Sequence, residues 1–163
     1  MLQIVQLKPN PTGKDRGKET GASAAQLGAE WVDFKNTGSA PVNLNRMELY
    51  HQAYSAGSSE PKWVKITSFS GTLPVGEIVR VHSGRERERG VLYQDDLVGA
   101  HHHIFSGVDA YVWNNRRADT AGLWSPSDDR WIDLAGYDAS PPEGVILVRS
   151  GSKLVPGRVA SRY

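Results

Sequence analysis

The 163-residue sequence contains no cysteine. That absence removes disulfides, thiol catalysis and zinc–thiolate centres together. It leaves the compartment open, because a chain of this length buries enough core to stand without covalent staples. Long apolar runs are missing as well: no stretch approaches the ~20 residues that a membrane-spanning helix needs. The N-terminus has neither a charged n-region nor an apolar h-region, so no signal peptide is read there. The expectation is a cytoplasmic protein by default, exported if a leader has been removed. Nor is there an excess of charge. Nineteen Lys and Arg against eighteen Asp and Glu give a net charge of +1, so no global field draws the chain to nucleic acid or anionic lipid. Catalytic signatures are absent too. There is no G-x-S-x-G elbow, P-loop, G-x-G-x-x-G or H-E-x-x-H, and Asp128, Asp129 and Asp133 do not follow the calcium-loop pattern. The sequence therefore reads as non-enzymatic and requires no cofactor.

What is present is period-two alternation. In residues 29–50, AEWVDFKNTGSAPVNLNRMELY, Val32 and Phe34 share one face. Glu30, Asp33 and Lys35 are left for water, and Trp31 on the outer set implies partial cover there. Alternation over a short run marks a half-buried strand. Asn36-Thr37-Gly38-Ser39 supplies turn chemistry, and Val42, Leu44, Met47 and Leu49 resume the pattern. Further strands are predicted at 2–7, 62–66, 78–82, 111–113, 120–124, 131–134 and 144–148. Loops are expected at 8–28, with one helical turn in its Ala-rich part, and at 51–61. Residues 85–89 read as a charged loop or hairpin tip. Many short strands separated by Gly, Pro, Asn and Asp, with no sustained 3.6-residue stripe, argue for one all-β antiparallel sandwich.

Three segments in order carry a resemblance. E-W-V-x-F-K-N-T-G-S at 30–39 with its following strands comes first. G-T-L-P-V-G-E-I-V at 71–79 is next. Y-V-W-N-N at 111–115 with A-D-T-A-G-L-W at 118–124 is third. Together they resemble the lamin-tail domain, the immunoglobulin-like module of intermediate-filament tails, which also occurs free-standing in bacteria. The resemblance spans roughly residues 1–137, and it implies an immunoglobulin-like β-sandwich in which Trp113 packs the core. It also implies a role in contacts with protein and, in some settings, DNA or the cell surface. Met47 stands where an aromatic is common, residues 85–105 form a longer charged insertion, and nothing after Tyr137 matches. We take 1–148 as the sandwich and 149–163 as a basic tail expected to fray.

The candidate contact residues follow from composition. Of five tryptophans, Trp63 and Trp131 sit on short strands among Lys, Arg and Asp, and an exposed Trp beside Arg is typical of a binding hot spot. With Arg130 and the loop arginines Arg85 and Arg87 they form the expected surface for a protein partner, reached through loops and an edge strand, on a monomer or weak homodimer. The alternative is a nucleic-acid accessory role for the basic ends: Lys14, Arg16 and Lys18 in the first loop, Arg158 and Arg162 in the tail. Residues 125–143, with five acids against Arg130, would complement such a patch. His101 and His103 lie on one side of any strand they occupy, roughly 6–7 Å apart. They are the only metal candidates, with Asp95, Asp96 or His82 to complete a set. Their spacing fits no zinc pattern, and a polar loop is the plainer reading.

Overall fold

A computed structural model of the chain describes residues 1–14 and 21–159. Its strands are β1 (Leu2–Lys8), β2 (Trp31–Asn36), β3 (Val42–Asn43), β4 (Glu48–Tyr54), β5 (Pro61–Ser68), β6 (Thr72–Leu73), β7 (Ile78–His82), β8 (His102–Phe105), β9 (Asp119–Ser125), β10 (Arg130–Tyr137), β11 (Val145–Ser150) and β12 (Lys153–Val159). A short helix α1 (Ala24–Gly28) precedes β2; a 3-10 turn (Glu86–Val91) and helix α2 (Gln94–Leu97) lie between β7 and β8. Ser23 and Gln26 close a capping box on α1, which gives the Ala-rich turn the start signal that so short a helix needs.

Ten strands form one sheet in the order β5-β4-β9-β10-β12-β11-β1-β2-β7-β8, and β3 pairs with β6 beside it. Neighbours run antiparallel except β7–β8 and β10–β12. A sheet of this width curls rather than staying open. Leu49 of β4 and Val81 of β7, far apart in strand order, belong to one buried cluster with Ile4, Phe34, Trp113, Leu123 and Leu147. The result is an all-β, antiparallel-rich, sandwich-like fold, with Trp113 in its core.

The inner face follows the alternation; the outer face of β2 does not stay in water. Glu30 and Asp33 are wholly buried. Glu30 is enclosed by Lys14, Ser83 and the backbone of 112–113, whereas the segment 86–98 lies on the side of Asp33 and is tied down by charge. Arg80 grips Asp33 with Nε and Nη2 at 2.7 and 2.9 Å, donates to the Asp96 and Val98 carbonyls, and stacks 3.6 Å from the Trp31 ring. Asp96 accepts from Lys8 Nζ at 2.8 Å and Trp31 Nε1 at 2.9 Å. Trp31 is thus fully covered.

Three other expectations are corrected. Residues 51–54 continue β4, so the loop is only 55–60. Residues 111–113 are not a strand, because their N–H groups bond a side chain instead of a neighbour: Val112 and Trp113 donate to the Glu30 carboxylate at 2.7 and 3.3 Å. Residues 153–159, placed in the basic tail, form β12 and pair along β11. Two of the basic residues placed in the tail meet the acidic stretch. Arg149 holds Asp133 with two nitrogens at 2.8 and 2.9 Å, and Lys153 meets Asp138 at 2.6 Å.

Candidate interaction surface

On β4 the alternation turns Leu49 and His51 inward and leaves Tyr50, Gln52 and Tyr54 on the outer face. Register brings Trp63 opposite Gln52 and Lys65 opposite Tyr50. It also sets Gly122 against Tyr50, Leu134 against Gly122, and Trp131 against Trp124. An aromatic cluster results, centred on Trp131. Its ring lies 4.6 Å from Trp63, 5.0 Å from Trp124 and 5.7 Å from Tyr50, centroid to centroid. The last two contacts are edge-on, the arrangement that ring quadrupoles favour.

Gly122 makes room for it. A Cβ there would stand 2.6 Å from Trp131 Cζ3 and 3.2 Å from Leu134 Cδ2. A glycine inside a strand often marks such a close approach. The cluster is open to solvent, with Trp63 39% and Leu134 38% exposed. Its polar margin is fixed as well. Glu48 bonds Lys65 and the Tyr50 hydroxyl. The Lys65 bond holds the Glu48 carboxyl below its usual range, and partial burial pushes the Tyr50 phenol up. At the other end the Arg117 guanidinium sits 4.6 Å above the Tyr54 ring.

A latch holds β4 in place behind Trp63. Buried Asp119 accepts from the N–H groups of Gln52, Asn114 and Thr120 and from His51 Nδ1, at 2.7–3.1 Å. Asn114 Nδ2 donates to the Gln52 carbonyl at 2.6 Å, and the Tyr137 hydroxyl to the Asn114 carbonyl at 2.7 Å. The W-N-N and A-D-T segments of the sequence meet in this latch. Beyond it lies the open edge: among the described residues β5 pairs with β4 alone, and residues 61–65 are all exposed.

Trp63 and Trp131 are therefore brought together, and Arg130 is exposed beside Trp131 in the chain. Arg85 and Arg87 are not part of this face. They follow β7, toward the far edge of the sheet, where Arg85 meets Asp109 at 2.9 Å. Tyr50, Tyr54, Arg117, Trp124 and Gly122 were not singled out from the sequence; Gly122 inside an alternating strand was the one local signal.

The basic-end residues fare differently. Lys14 is buried in a cage of the Glu30 carboxylate, the Pro9 and Trp113 carbonyls and the Asn115 side chain, which turns it away from any phosphate. Arg16, Lys18, Arg162 and the side chain of Arg158 lie outside the described residues. His101 and His103 are engaged separately. His101 Nδ1 accepts from the Ile78 N–H at 3.0 Å. His103 Nδ1 shares a 2.8 Å bond with His82 Nε2, and His82 Nδ1 donates to the Gly28 carbonyl. Asp96, offered as a third ligand, is held by Lys8 and Trp31. Among the described residues no three His, Asp or Glu side chains gather where a metal would sit. Burial, then His103 and the neighbouring arginines, holds His82 at about 3; burial, then Arg89 and Arg80, holds His103 at about 4. Compared with known proteins, the chain matches no protein-family model and no curated sequence.

Proposed function

We propose that this chain is a non-enzymatic interaction module that takes an extended segment of a protein partner along β5, anchored on the Trp63–Trp131 pair. One observation carries the reading: two tryptophans in tilted ring contact, one of them well exposed, stand beside a strand edge that has no neighbour among the described residues. A free edge offers main-chain donors and acceptors to an added strand, and side-chain anchors on the adjacent face give selectivity. Tryptophan in a partly dry, pre-packed setting is the residue type that dominates such contacts. The latch at Asp119 supports the same role, because it fixes β4 and so pre-organises the strand that carries Trp63. The likeness of residues 30–39, 71–79 and 111–124 to the lamin-tail module agrees with a contact function.

A pull-down from lysate of the source cells with the untagged chain tests the reading, run at low and high salt with and without nuclease. Protein bands that survive nuclease and high salt, and that vanish with Trp63→Ala and with Lys65→Pro, are the expected result. Tyr50, opposite Lys65, turns its own N–H toward β9, so proline at 65 removes an N–H from the open edge and leaves the β4–β5 ladder bonded. Circular dichroism checks that both variants fold. Retention of nucleic acid alone, at low salt only, would overturn the proposal in favour of the basic ends.

A further inference from the structure

The ten-stranded sheet has two edges, and they differ. β8 is four residues long, runs parallel to β7, and carries histidines already bonded to Glu77 and His82. β5 is eight residues long, antiparallel to β4 and exposed along most of its length. Its charges are of one sign: Lys62 and Lys65 project from it. Lysines on an edge strand discourage pairing with another copy of that strand, because like charges then face each other.

More positive charge stands at the hairpin end. Tyr54 pairs with Pro61, and Lys62 with Ala53. Arg117 lies over the Tyr54 ring, and Arg116 beside it in the chain is exposed. Among the described residues Lys62, Arg116 and Arg117 form no ion pair; Glu60 is the single acid in the adjoining loop. At the opposite end, next to Trp131, the turn between β9 and β10 carries Asp128 and Asp129. The outer face thus runs from Arg117 at the hairpin to the acidic turn, with the aromatic cluster between, while Lys62, next to Trp63 in the strand, carries its charge on the other side of the same edge.

We propose that the β5 edge selects an acidic extended segment of another protein, whose carboxylates meet Lys62, Arg116 and Arg117 while one apolar side chain lies on Trp63 and Trp131. This rests on the edge-binding reading above and adds the chemistry of the partner. Rim charges of this kind sort partners and speed encounter more than they add affinity. Three such contacts together are worth about tenfold in affinity.

The probes are two capped ten-residue peptides, one alternating Glu and Val and the other Lys and Val, titrated into the isotope-labelled full chain. Amide shifts of residues 61–68 and the Trp63 indole signal report the site. The acidic peptide should move these signals and bind at least about tenfold more tightly than the basic one. The Lys62→Glu, Arg117→Glu double variant should erase that preference. Equal binding of the two peptides would overturn the charge assignment and leave edge binding standing. Neither peptide binding, while captured protein still depends on Trp63, would overturn the assignment and again spare the edge reading. Captured protein indifferent to both Trp63→Ala and Lys65→Pro would sink both. Self-association through β5, seen as a concentration-dependent mass that Lys65→Pro abolishes, would name a second copy as occupant and overturn the assignment.

Discussion

Asp33 shows what a single residue's neighbours decide. Alternation placed it on the outward side of β2, and it is on that side. Yet Arg80 and the 86–98 segment close over it, so the carboxylate is buried in a two-point ion pair. Alternation tells which way a side chain points and is silent about what will cover it, which is why Asp33 was misread as solvated. Removing one member of such a pair strands the other. Arg80→Ala should cost about 3–5 kcal/mol, read from the urea midpoint. Gly122→Val tests the aromatic cluster in the same way: the new side chain meets the Trp131 ring. A loss of about 1–3 kcal/mol with a changed near-ultraviolet tryptophan signal is the expected outcome. His82 and His103 supply a third case, in which the sign is fixed by their lowered values. Unfolded, each binds a proton near 6.5; folded, His82 does so only at about 3 and His103 at about 4. Their stabilising effect is therefore complete above 6.5 and is lost as pH falls below it. For buried His82 the slope is at most about 1.4 kcal/mol per pH unit. Melting temperatures taken downward from neutral pH should fall through this window. His82→Phe, which keeps a ring against Phe105, should flatten the fall.

At the scale of elements, strands were legible wherever one face meets the core, as in β1, β2, β7 and β9. Segments whose backbone bonds to a side chain were not. Residues 111–113 have the apolar pattern of a strand, but Glu30 takes their N–H groups. The charged insertion gave no periodic signal, because a 3-10 turn and one helical turn are too short to show a period. Its attachment rests on Asp96, which joins Lys8 and Trp31 to α2. Asp96→Ala should leave Lys8 buried without its partner at a cost of about 3–5 kcal/mol. In hydrogen exchange the faster amides should be concentrated at 86–105 rather than spread over the sheet. The meeting of Trp63 with Trp131 was invisible for another reason: β5 and β10 touch only through the register of β4 and β9 between them.

Across the whole molecule, the basic and acidic stretches that suggested complementary surfaces do find each other, but within one chain, as Arg149–Asp133 and Lys153–Asp138. Ends that looked like a phosphate-binding patch are in part a seam of the fold. The seam has a consequence for synthesis. β1 lies between β2 and β11, with Leu7 opposite both Val32 and Leu147. Of these three strands β1 is made first, and it receives its second neighbour only after about 140 further residues. At roughly 5–20 residues per second that wait is on the order of ten seconds, and throughout it Leu2, Ile4 and Leu7 lack the strand that finally encloses them. Apolar strand surface left unpaired for that long is the kind that aggregates. A message broken before the codons for Val145 would yield a product with a permanently unzipped seam, fit for degradation rather than use.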